Sequence, residues 1–140
     1  MKEFEFTVYG RPKGKGRPRF TRKGHAYTPK GTKTYETEIK QAFNNAGGES
    51  FGNVPVSIEV TALYPIPKSA RKADKEQMEK GMMLPLGKPD IDNVLKSVMD
   101  ALNGMAFDND AQVVFVKAFK RYDLIGAAGA VEIRIRDMSS

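Results

Sequence analysis

In the stretch IDNVLKSVMDAL, residues 91–102, Ile91, Val94, Leu95, Val98 and Leu102 recur at helical spacing, and no other segment limits the fold so tightly. An apolar stripe of that width is stable only against another apolar surface, and its direction fixes where every other side chain of the helix points. Period-2 segments elsewhere supply that surface. Phe4, Phe6 and Val8 alternate with Glu3, Glu5 and Thr7 over residues 3–9, and Val54, Val56, Ile58, Val60 and Ala62 alternate with Ser57, Glu59 and Thr61. Each reads as a half-buried strand. Residues 112–122 (QVVFVKAFKRY) form a third strand. A fourth spans 130–136, where Val131, Ile133 and Ile135 alternate with Glu132, Arg134 and Arg136, and Gly126 and Gly129 mark a hairpin between these two.

Two further helices complete the order. Residues 34–46 place Tyr35, Ile39, Ala42, Phe43 and Ala46 on one face and close at Gly47-Gly48. After Pro65 and Pro67, residues 68–80 (KSARKADKEQMEK) form a charged helix with little apolar surface, expected to be exposed and mobile. The sequence β-α-β-α-α-β-β predicts one α/β (α+β) domain over 1–140, a mixed β-sheet with helices packed on one face. Neither an internal repeat nor a domain boundary interrupts it.

The absence of Cys excludes disulfides and thiolate metal sites. His25 is the only histidine, which leaves little for a zinc site or a histidine-driven nucleophile and suits a loop contact. No apolar run approaches a signal or membrane segment, so a soluble cytoplasmic protein without membrane association is expected.

Charge is concentrated in one place. Residues 11–30, RPKGKGRPRFTRKGHAYTPK, carry eight cations (Arg11, Lys13, Lys15, Arg17, Arg19, Arg22, Lys23 and Lys30) and no acid, more than the net +6 of the whole chain. Six glycines and prolines make the segment a long loop, and Phe20 and Tyr27 interleave with the cations. That mixture suits a chain following phosphates and offering aromatic faces to bases; the bland alternative is a solvated, solubilising loop. Gly10 to Lys15 is no phosphate-binding P-loop, since neither Ser nor Thr follows the lysine and no amphipathic helix follows either.

A second cluster has the opposite sign. Asp90, beside Pro89, lies at the start of the central helix, Asp92 falls in its first turn, and Lys96 is four residues beyond Asp92 on an exposed edge. Asn103-Gly104 ends the helix, and Asp108-Asn109-Asp110 precedes the strand at 112–122. These aspartates admit two readings: caps and turn residues, or oxygen ligands for a hard divalent cation held against a phosphate. A chain without Cys and nearly without His suits Mg²⁺ and few other ions.

Asp90-Ile-Asp92-Asn93, Lys96, Asp100-Ala101-Leu102 and Asp110-Ala111-Gln112-Val113, with Arg17-Pro18-Arg19 and Tyr27-Thr28-Pro29 upstream, resemble the RusA family of Holliday junction resolvases, the phage and prophage type of crossover-junction endodeoxyribonuclease. The resemblance runs from the basic loop to the final strands. It implies metal-binding carboxylates at Asp90, Asp92 and Asp110, an essential basic residue at Lys96, and Mg²⁺ as cofactor with Mn²⁺ as a substitute. It further implies a homodimer acting on four-way junction DNA in recombination or repair, leaving nicks with 5′-phosphate and 3′-hydroxyl ends. One departure is visible: the family commonly has two adjacent acids before Ala-Gln, where this chain has Asn109-Asp110. On residues alone, Lys96 could stabilise charge on the phosphate or orient the water. Two rivals share parts of the pattern: a non-catalytic nucleic-acid-binding protein, which needs only the basic loop, and a metal nuclease acting on another branched DNA or on RNA.

Overall fold

The period-2 segments assemble into one mixed sheet. The computed structural model describes residues 2–14, 19–20, 22–27, 30–124 and 128–139, with backbone alone at 19–20, 27 and 30–33. The main strands are β1 (Glu3–Tyr9), β4 (Val56–Tyr64), β5 (Val113–Tyr122) and β6 (Ala130–Asp137), in the order β1-β6-β4-β5. β6 runs antiparallel to both β1 and β4, whereas β4 and β5 are parallel. Consequently β1, β4 and β5 all end at the same edge of the sheet.

The hairpin expected between residues 112–122 and 130–136 is absent: β5 and β6 lie on opposite sides of β4. β4 is the most deeply buried strand, with Val56, Ile58, Val60, Ala62 and Tyr64 all in the core, so it takes the central place and two neighbours. Its parallel partner needs a long crossover, which α2 (Lys72–Glu79) and α3 (Ile91–Leu102) provide. Gly126 lies outside the described residues. Gly129, at φ +83°, serves a close approach rather than a hairpin, since a Cβ there would stand 2.6 Å from the Leu63 carbonyl oxygen.

α1 (Lys30–Asn45) and α3 pack against each other and cover one face of the sheet. Tyr35, Ile39 and Phe43 of α1 are buried as their spacing predicts, with the Phe43 ring edge-on to Phe4 and Phe6 at 5.3 and 5.5 Å. Ala46, assigned to the same face, is exposed just past the helix end. Gly47 at φ +84° closes α1, with the Gly48 amide donating to the Phe43 carbonyl. α1 starts at Lys30 rather than 34, a turn that no apolar periodicity marks. Inside the basic segment β2 (Arg19–Phe20) and β3 (Ala26–Tyr27) pair as a small antiparallel ribbon where only loop was expected. α2 is shorter than predicted, and Met78 is its one buried residue.

Among the described residues the other sheet face carries no helix. Arg134 reaches Glu3, Glu5 and Glu59 there, Arg136 pairs with Glu3, and Arg121 with Glu132. This ladder of opposite charges suits a wetted surface. β5 is different. Val114, Phe115, Val116 and Phe119 are 62%, 52%, 41% and 47% exposed, on both faces of a strand whose far edge has no strand partner among the described residues.

Candidate active site

The carboxyl ends of β4 and β5 hold the start of α3. The Tyr64 hydroxyl donates to the Pro89 carbonyl. Lys120 Nζ donates to the Gly87 carbonyl at 2.8 Å and lies 4.9 Å above the Tyr64 ring. Residues 87–89 are thereby strapped across two strand ends, which fixes where Asp90 begins the helix.

Asp90 is the N-cap of α3, yet its carboxylate caps nothing; only its backbone carbonyl is used, accepting from the Val94 amide at 3.1 Å. Capping is therefore not what this side chain does. Asp92 is exposed in the first turn, Lys96 is exposed one turn on, and neither has a hydrogen-bond or ion-pair partner among the described residues. Both carboxylates sit at the positive end of the helix dipole, which favours negative charge there. The Tyr64 phenol is pushed up in pKa, first by burial and then by the negative charge of Asp90, with Arg11 opposing. Arg11 and Asp90 thus act on one side chain from the same end of the molecule.

The basic segment is seated against this helix start. A Cβ on Gly14 would fall 2.9 Å from the Cβ atoms of both Pro89 and Asn93, so the chain between Lys13 and Lys15 passes closer to α3 than any other residue allows. Lys13 Nζ lies 5.7 Å over the Tyr35 ring. Arg11, Lys13, Arg22 and Lys23 are exposed. Lys15 and Arg17 lie outside the described residues, as do the side chains of Arg19 and Lys30.

Asp110 is elsewhere. It opens a 3-10 turn, Asp110–Gln112, that leads into β5 at the opposite end of the sheet. Gln112 Nε2 fixes that end by donating to the Gly52 and Val54 carbonyls at 2.7 and 2.9 Å. Asn109 carries the turn chemistry: its side chain accepts from the Ala111 amide, and Gln112 Oε1 accepts from the Asn109 amide. The neighbouring carboxylates of Asp108 and Asp110 are exposed. The departure Asn109 thus has a structural job, legible in sequence as a polar residue with Gln three positions later.

α3, with 12 residues, spans about 18 Å at ~1.5 Å per residue, and that length separates Asp110 from Asp90 and Asp92 within one chain. Carboxylates sharing one Mg²⁺, or two ions ~4 Å apart, must lie within about 8 Å of one another. Among the described residues no three His, Cys, Asp or Glu side chains come together to hold a metal ion. Within one protomer Asp90, Asp92 and Lys96 thus lie beside the basic segment, apart from Asp110 at the start of β5. Sequence reasoning missed Gly14, Tyr64 and Lys120. Nothing distinguishes them from other glycines, core aromatics and surface lysines until the strand ends are placed.

No helix among the described residues is long and apolar enough to cross a membrane. The chain is 38% identical to the uncharacterized protein YqaN of Bacillus subtilis (strain 168), over 97% of each sequence. It is 28% identical to the crossover junction endodeoxyribonuclease rusA of Lactococcus phage r1t, over 97% of this chain and 98% of that one. The family model for endodeoxyribonuclease RusA matches residues 9–136, from the end of β1 through the basic segment, α3 and the Asp110 turn to nearly all of β6, so this chain belongs to the RusA endodeoxyribonuclease family.

Proposed function

We propose that the protein is an Mg²⁺-dependent endonuclease that resolves four-way DNA junctions by paired, symmetric nicks, acting as a homodimer. The observation that carries this reading is the pair of carboxylates at Asp90 and Asp92, released from capping and placed where Gly14 seats the basic segment. The oxygen donors fit a hard cation: exposed carboxylates, no thiolate, and neighbouring cations to receive the substrate phosphate. Asp90, Asp92 and Asp110 would hold Mg²⁺, with Mn²⁺ as a substitute. When bound, the ion lowers the pKa of a coordinated water and offsets charge on the phosphate.

The chain's own groups do the rest. Arg11 and Lys13 draw the DNA backbone over the start of α3. Lys96, one turn beyond Asp92, presents positive charge to the phosphate oxygens as the water oxygen adds to phosphorus and the P–O3′ bond breaks. The products are a 5′-phosphate and a 3′-hydroxyl, ends that a ligase can rejoin, consistent with a role in recombination or repair.

The separation makes the Asp90–Asp92 pair and Asp110 two half-sites, which a dimer would join. β5 exposes Val114, Phe115, Val116 and Phe119 along an open edge, a long apolar strand of the kind that pairs with another chain. A two-fold axis through the middle of β5 and perpendicular to it runs two copies antiparallel. Asp110 at the start of one β5 then meets the end of its partner's β5, where the partner's Asp90 and Asp92 lie. Each site is completed across the axis, and a junction with two-fold symmetry meets two sites at fixed separation.

The test is incubation of the protein with labelled four-way junction, linear duplex and single strand, with and without Mg²⁺. Paired nicks in the junction alone, only with the metal, are expected. Binding without cutting identifies a passive nucleic-acid-binding protein, and equal cutting of flaps or RNA identifies a different nuclease. Asp90→Asn and Asp92→Asn should each abolish cleavage while metal-free DNA binding persists or strengthens, because less negative charge then faces the phosphates.

A further inference from the structure

Immediately before the half-site, residues 81–88 read GMMLPLGK and place Met82, Leu84 and Leu86 in solvent at 75%, 44% and 96% exposure. A single exposed leucine is ordinary; three large apolar side chains within one short loop are not. Leu86 is also firmly based. Pro85 before it is buried, and the Gly87 carbonyl after it is held by Lys120 at 2.8 Å. The side chain therefore projects from an anchored backbone.

Its surroundings define the partner. Lys88 is exposed two residues on, Lys120 is bonded to the same loop, and Arg11 and Lys13 stand at the same end of the sheet. An apolar projection ringed by cations suits a polyanion with apolar faces inside it. A nucleic acid fits, its phosphates outside and its base stack within. We propose that Leu86, flanked by Leu84 and Met82, is a wedge that enters the base stack next to the nicked phosphate and holds it open. The inference rests on the proposed action on branched DNA and names the residue that selects it.

Energetics favour the branched substrate. Forcing an aliphatic side chain between stacked base steps of a continuous duplex must unstack them. At a four-way crossover the stack is already interrupted, and that cost is smallest. A wedge therefore penalises linear DNA and spares the junction. It acts by positioning, with no part in the proton or phosphoryl chemistry.

The experiment uses wild-type protein in EDTA, so that no cutting occurs, and a four-way junction carrying 2-aminopurine beside the crossover. Binding should raise the fluorescence several-fold. Leu86→Ala and Leu86→Ser should remove most of that rise and lower the junction-to-duplex affinity ratio about tenfold, whereas Leu86→Met should keep both. Sedimentation should show the same assembly state for all. An unchanged signal and ratio in Leu86→Ser overturns the wedge alone. Loss of dimer in Leu86→Ser also overturns it, by assigning the loop to a protein interface. If wild-type protein binds no junction at all, the functional reading fails and the wedge with it.

Discussion

A site divided between protomers makes a prediction that a site contained in one chain cannot imitate. Asp92→Asn and Asp110→Asn, prepared separately, should each be inactive as homodimers. Reassorted at equal ratio, about half of the dimers are mixed. In a mixed dimer with sites completed across the axis, one site collects both substitutions. The other combines an intact Asp90 and Asp92 with an intact Asp110. About a quarter of all sites in the mixture are then wild-type in composition, and activity should return to about a quarter of the normal nicking rate. The proposal rests on helix length: about 18 Å of helix lies between Asp110 and the Asp90–Asp92 pair of one chain, against about 8 Å of ligand reach. The product is diagnostic as well. With a junction held in a cruciform plasmid, a dimer with one working site makes nicked circles, while wild-type protein makes linear plasmid by paired incision. If each site lay within one chain, every site of a mixed dimer would carry one substitution and reassortment would restore nothing. No recovery, with mixed dimers confirmed by mass spectrometry, refutes the divided site.

Gly14→Ala puts a methyl into a 2.9 Å gap against Pro89 and Asn93, so the basic segment should shift off α3; junction binding by gel shift should weaken while the thermal midpoint stays near wild type. Replacing Arg11 and Lys13 together with Ala should flatten the plot of log affinity against log salt by roughly two contacts' worth of slope, and an unchanged slope would separate these cations from the phosphates. Tyr35 is 2% exposed with no full hydrogen bond to its hydroxyl, and burial pushes its pKa from 10.0 to about 12. The folded state therefore holds this proton more tightly than the unfolded chain does. The contribution to stability is complete below pH 10 and is lost as pH rises from 10 to about 12. In urea titrations Tyr35→Phe should lose less stability over that window than wild type. At neutral pH the variant should also gain up to ~1–3 kcal/mol, the usual cost of an unpaired buried hydroxyl.

How much of this was legible in the sequence follows from the range of the interactions involved. The strand and helix patterns of β1, β4, β6, α1 and α3 were readable because each element's own apolar period decides which face it buries. Pairing partners were not, because strand neighbours are chosen by competition between surfaces distant in the chain. The buried run Val56, Ile58, Val60 and Ala62 takes β4 to the centre of the sheet with a strand on either side, and that displaced the hairpin which the glycines between β5 and β6 suggested. The same distinction runs through the site. Asp90, Asp92 and Lys96 share one helix, so their spacing alone put them together. A strand following a helix can return alongside it, which would bring Asp110 to them. The parallel partnership of β5 with β4 decides otherwise. It starts β5 at the end of the sheet where α3 finishes and carries the strand back toward Asp90 only at Tyr122. The same parallel strand that separates Asp110 from the helix start also leaves β5 on the open edge, with four large apolar side chains unsheltered. One choice of neighbour thus both divides the carboxylates and supplies the surface that can reunite them through a second copy.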